Sequence, residues 1–122
     1  MNNRRIYVAA TNTQGIHGAG TAKVAKLYHG LKGGVSEGLC ADSYAICTKD
    51  LAKGKRSVPL SYIRSQVEKL KIVAASMPDV IFDVPAIGCG LAGFFPHEIA
   101  PMFAGSPPNM ILPLIFNEIL HS

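Results

Sequence analysis

The chain has 122 residues, 48% of them hydrophobic and 16% charged, with a net charge of +4. Residues 1–122 are therefore expected to form a single domain around one core, and a disordered chain is excluded. Three cysteines (Cys40, Cys47 and Cys89) without CxxC spacing argue against a disulfide framework and against a zinc site, and with no leader pattern and no apolar run long enough for a bilayer the expectation is a cytoplasmic protein without a membrane partner.

In chain order, Ile6 to Ala10 reads as a buried strand that ends in polar Thr11-Asn12. A glycine-rich segment, Gln14 to Gly20, leads into a helical run from Thr21 to about Tyr28, which Gly30 and Gly33-Gly34 stop. Residues 31–42 read as a connecting loop. Ser43 to Thr48 alternates as a strand does, and a basic loop holding Lys49, Lys53, Lys55 and Arg56 follows. Pro59 opens the clearest helix, Leu60 to Ser76, whose apolar positions Ile63, Val67, Leu70 and Ala74 recur every three or four residues. Val80 to Ile87 reads as another buried strand, running into the loop Gly88-Cys89-Gly90-Leu91-Ala92-Gly93. A short helix from about Pro96 to Phe103 and a last strand, Met110 to Phe116, complete the pattern. Alternating strands and helices predict an α/β fold with a mostly parallel or mixed sheet.

Both glycine loops follow a predicted strand and precede a predicted helix. In such sheets ligands bind beyond the carboxyl ends of the strands. Glycine lets the backbone approach a phosphate, and N–H groups at the next helix N-terminus can cradle the anion. Two such loops predict two walls of one diphosphate cleft. Gly15 to Gly20 has P-loop spacing, but Thr21 and Ala22 stand where Lys and Ser/Thr are required. Gly88, Gly90 and Gly93 spell a dinucleotide fingerprint. Pro96 interrupts the helix it needs, however, and the next acid near a strand end, Glu118, lies too far on.

The segments Thr11-Asn12 to Gly15, His17-Gly18-Ala19-Gly20-Thr21-Ala22 and Pro85-Ala86-Ile87-Gly88-Cys89-Gly90-Leu91 resemble the macro domain. The likeness is nearest to its ADP-ribosyl-ester hydrolase subgroup, which includes terminal ADP-ribose protein glycohydrolase, and it extends over about residues 6–116. Small standalone domains of this look occur in bacteria and their phages. The resemblance implies a compact three-layer α/β/α sandwich with ADP-ribose in a cleft. Gly18, Ala19, Gly20 and Thr21 would line the diphosphate and distal ribose, and Gly88, Cys89, Gly90 and Leu91 would form the second loop. The chain begins at the strand that carries the first loop, so an adenine contact is expected from elsewhere or from a partner subunit. In the subgroup a lysine after the Thr-strand and an aspartate after Gly-Cys-Gly-Leu do the chemistry. Lys49 matches the first, and Ala92 stands in place of the second. A lysine can attack the ribose aldehyde, but a carboxylate normally assists the proton transfer.

The expected function is therefore binding of ADP-ribose or a related NAD-derived nucleotide without efficient turnover. In a phage or bacterial setting that amounts to sequestration of a nucleotide signal. A hydrolase of ADP-ribosyl esters or of a cyclic or conjugated ADP-ribose, using Lys49 or His17, is the alternative. A basic module for nucleic acid or protein is a third reading. Its basic residues lack the long stripe and interleaved aromatics of nucleic-acid binders. No cofactor or metal is expected. The expected ligand contacts are Asn12, Gly15, His17, Gly18, Ala19, Gly20, Thr21, Lys49, Gly88, Cys89, Gly90, Leu91, Ala92, Gly93 and Phe94. For His17 a backbone hydrogen bond competes with a ligand contact, and for Asn12 fixing the loop competes with binding ribose. Of Phe94 and Phe95, one is expected to pack inward. The apolar run Met110 to Phe116 predicts an edge strand that a second subunit covers.

Overall fold

The computed structural model describes residues 4–122. Strand β1 (Arg5–Asn12) lies at the centre and sends alternate side chains to opposite faces. Ile6 and Val8 join the larger core, whereas Ala9 joins a smaller cluster with Ala25, Leu31 and Ala45. Helix α1 (Gly20–Tyr28) contributes Ala25 to that smaller cluster. Alanines on both sides let the helix axis lie close to the sheet.

Strand β3 (Ser43–Lys49) runs parallel to β1, its Tyr44 and Ile46 on the larger core and its Ala45 under α1. Helix α2 (Leu60–Ser76) crosses the opposite face and buries Ile63, Gln66, Val67, Leu70 and Ala74. Strand β4 (Ile81–Asp83) pairs parallel on the other side of β1, and β5 (Met110–Ile111) extends the sheet beyond it. Helix α3 (Pro96–Ile99), a 3-10 turn at Ala100–Phe103 and helix α4 (Leu114–Leu120) cover the α2 face. Helices on both faces of the sheet make the expected α/β/α arrangement. Among the described residues no helix is long and apolar enough to cross a membrane.

Three expectations are corrected. Residues 31–42 contain a strand, β2 (Gly38–Cys40), paired antiparallel to β3, so the sheet is mixed with order β2-β3-β1-β4-β5. Its three residues carry no alternation to read, and the two-residue turn Ala41-Asp42 is held by Arg4, which donates to the Asp42 carboxylate and the Ala41 carbonyl. The run Val80 to Ile87 is strand only at Ile81–Asp83. The Val84 N–H still donates to the Ile111 carbonyl (2.9 Å), but Pro85 has no N–H and the ladder stops. The run Met110 to Phe116 is strand only at Met110–Ile111, after which Pro113 opens α4. Phe116 is then fully buried, its ring 5.5 Å from that of Phe103. The exposed edge is two residues long rather than seven.

Two buried amides close the backbone accounts. β2 stops short of Cys47, and there the Gln66 side chain takes the place of a strand. Cys47 N–H donates to Gln66 Oε1 (2.6 Å) and Gln66 Nε2 donates to Cys47 O (2.8 Å). Asn109 Nδ2 lies 2.9 Å from each of the carbonyls of Ala74, Met77 and Val80, satisfying the end of α2.

Candidate functional site

The connection from β1 to β3 and that from β3 to β4 leave in opposite directions, so the sheet has a topological switch at β1. At such a point the loops diverge and leave a crevice at the carboxyl ends of the strands. Asn12 and Lys49 are paired at those ends, after a bulge that leaves Thr48 outside the register.

The first wall is braced from below. Asn12 Nδ2 donates to Ile16 O (2.7 Å) and Ile16 N–H donates to Asn12 Oδ1 (3.0 Å), so the amide closes the loop on itself. Gly15 has φ +66°, and a Cβ there would lie 2.5 Å from the Gly34 carbonyl carbon, so only glycine permits this approach. The Thr11 hydroxyl donates to Ser36 O, and His17 Nε2–H donates to Val35 O (2.7 Å). That bond puts the neutral ring's proton on Nε2 and leaves buried Nδ1 without a partner among the described residues. Gly20, at φ +60°, turns the chain into α1. Ala19 at the N-cap offers no side-chain cap, and the first turn holds no acid. The leading N–H groups of α1 thus face the crevice without a competing carboxylate.

The second wall is built from successive turns after Pro85 and is clamped by Arg56. The Arg56 N–H donates to Ala92 O (2.7 Å), and its guanidinium binds both Glu98 oxygens at 2.7 Å. The same guanidinium lies 4.9 Å from the centroid of the Phe94 ring. Hydrogen bonds from Arg56 hold the Glu98 carboxyl down to about 2, well under its ordinary value. The two walls meet where a Cβ on Gly20 would lie 3.4 Å from Leu91 Cδ1.

Between them lies a cleft of about 340 Å³, lined by Ala10 to Asn12, Ile16, Gly18 to Ala22, Thr48, Lys49, Leu51, Ala86 to Gly88 and Gly90 to Ala92. That volume falls in the range of small-ligand sites, about 300–1,000 Å³. Lys49 is the only ionisable side chain among the lining residues. Neighbouring Asp50 is turned to the loop. Gln14 Nε2 and the Ala52 N–H donate to its carboxylate, and these bonds lower its pKa. Among the described residues the cleft therefore offers backbone donors and one cation, which suits an anion, and no lining carboxylate to move a proton.

Of the expected contacts, Asn12, Gly18, Ala19, Gly20, Thr21, Lys49, Gly88, Gly90, Leu91 and Ala92 line this cleft. Five do not. Gly15 braces the loop against Gly34, and His17 is spent on Val35. Cys89 turns away, its thiol pushed up to about 11, chiefly by burial, which removes it as a thiolate nucleophile. Gly93 faces the Lys55 side chain, and Phe94 packs inward under Arg56 while Phe95 is exposed. Asn12 fixes the loop. Ile16 and Leu51 are lining residues outside the motifs, and Thr11 and Thr48 are motif residues that were not among the expected contacts. Thr48 and Leu51 flank Lys49, so proximity to the strand end was the signal available for them.

Comparison with known proteins returns no matching family model, no matching curated protein and no matching solved structure.

Proposed function

We propose that this chain binds ADP-ribose or a related NAD-derived nucleotide and holds it without efficient turnover. The observation that carries the reading is the pairing of two glycine-bearing walls around one cleft at the switch point of the sheet. One of those walls presents the uncapped N-terminus of α1. A diphosphate satisfies those N–H groups and the Lys49 ammonium together. The macro-domain resemblance of the same loops names the nucleotide. Retention without turnover is supported by Ala92, 4% exposed at the position where the resembled hydrolases carry their acid, and by the lack of any carboxylate among the lining residues. A lysine without a proton-transfer partner binds an anion better than it opens a ribose.

Titration calorimetry with ADP-ribose, followed by chromatography of the recovered nucleotide, tests this. Binding that needs both ribose and diphosphate, with intact ligand recovered, is the expected result. Conversion of the ligand supports the hydrolase alternative through Lys49, and absence of binding to ADP-ribose, ADP, AMP and NAD overturns the reading. Gly90→Val separates binding from folding. A Cβ there meets no protein atom within 4 Å, and Gly90 is not in the left-handed region. The variant should melt with the wild type and lose at least about tenfold in affinity, because the added methyls occupy the ligand's space.

A further inference from the structure

Three exposed aliphatic side chains from three separate loops border the mouth of the cleft: Ile16 (58% exposed), Leu51 (42%) and Leu91 (57%). None of the three belongs to either hydrophobic cluster of the described residues. Ile16 comes from the loop after β1, Leu51 from the loop after β3 and Leu91 from the loop after β4. Large aliphatics left in water around a polar-ended cleft mark the place where an apolar portion of a ligand is received.

Several hydrogen-bonding groups around this mouth are already in use within the protein. Both backbone groups of Ile16 are bonded to the Asn12 amide, and the Leu51 N–H donates to Gln14 Oε1 (3.0 Å). The three threonines deeper in the cleft each already make a hydrogen bond within the protein. Thr11 donates to Ser36 O, Thr21 Oγ1 accepts the Ala10 N–H (2.8 Å), and Thr48 Oγ1 donates to Thr11 O (3.4 Å). No aromatic side chain is among the residues that line the cleft: Phe94 lies under Arg56, and Phe95 stacks on His97 at 5.7 Å.

Resting on the nucleotide reading above, we infer that Ile16, Leu51 and Leu91 receive the base by apolar contact alone, so the site selects a diphosphate-ribose ligand without reading the hydrogen-bonding edge of its base. Adenine and hypoxanthine have the same shape but opposite donor and acceptor patterns at position 6 and at N1. A site that hydrogen-bonds that edge separates them by about five- to a hundredfold, because the wrong base leaves desolvated groups unpaired. An apolar mouth treats them alike.

The test compares ADP-ribose, inosine diphosphate ribose and ribose 5-phosphate by calorimetry, on the wild-type chain and on Leu51→Ser and Ile16→Ser. Both substitutions replace exposed side chains, and melting temperature checks that each variant is folded. The two dinucleotide-type ligands should bind the wild type within about threefold of each other. Each variant should weaken both by the same factor, about fivefold or more from lost apolar burial, and leave ribose 5-phosphate unchanged. A preference beyond about fivefold for either base, or variants that weaken ribose 5-phosphate as much as the nucleotides, overturns the inference while leaving the nucleotide reading intact. If none of the three ligands binds the wild type, the nucleotide reading itself fails, and this inference fails with it.

Discussion

Replacing Gln66 by leucine removes the group that completes the sheet where β2 ends. Cys47 is 1% exposed, and its N–H and C=O both bond to the Gln66 amide. Leucine has similar bulk and cannot bond either group, so two buried backbone groups are orphaned. At about 1–3 kcal/mol for each group, partly offset by the better burial of an apolar side chain, the expected loss is roughly 2–4 kcal/mol. That is a large share of a total of about 5–15 kcal/mol. For a chain of this length it lowers the melting temperature by about 6–20 °C. Urea unfolding followed by circular dichroism measures it, with the midpoint shifted and the slope unchanged. Gln66→Glu probes the same site through pH. A buried carboxyl beside the Cys47 carbonyl has its folded pKa raised, so its protonated form, which keeps both donor and acceptor, persists at low pH. Relative to wild type, the stability of that variant should therefore be best in acid and fall as pH rises through the folded pKa. A Gln66→Leu protein within about 0.5 kcal/mol of wild type would refute the view that the amide stands in for a strand.

Asn109→Ala should cost about 1–3 kcal/mol in the same assay, because it strips the donor shared by the carbonyls of Ala74, Met77 and Val80. An unchanged midpoint would show that the end of α2 is satisfied in another way. The Arg56–Glu98 contact stabilises the fold above Glu98's ordinary value of 4.5, and its contribution is lost as pH falls toward the folded value of about 2. Thermal melts across that range should fall less steeply for Arg56→Ala than for wild type, and parallel curves would exclude the contact as the cause. Cys89, with its thiol near 11, should alkylate with iodoacetamide at pH 7.5 far more slowly than a model thiol. Rapid labelling mapped to Cys89 by mass spectrometry would count against its burial.

Local pattern carried much of the architecture. The helix Leu60–Ser76 was legible because Pro59 and a long apolar stripe mark its start and its buried face. The alternation of strands and glycine-rich turns likewise announced the α/β sheet and the two walls of the cleft, since positive φ and helix entry are short-range requirements. Runs such as Met110 to Phe116 were ambiguous, because continuous apolarity suits a buried strand and a buried helix equally and only packing against Phe103 chooses between them. The strand at Gly38–Cys40 exists because β3 offers it an edge, a partner invisible in three residues.

The same division holds at the cleft. Sequence by itself determined which loops bear glycine, that Lys49 ends a strand and that Ala92 carries no acid. Tertiary structure alone decided that His17 and Phe94 turn away, that Asn12 spends its amide on Ile16, and that Ile16, Leu51 and Leu91 line one cleft. Backbone conformation is set by neighbours in the chain, whereas the direction of a side chain is set by whichever distant group satisfies it. For His17 that group is the carbonyl of Val35, and for Phe94 it is the guanidinium of Arg56.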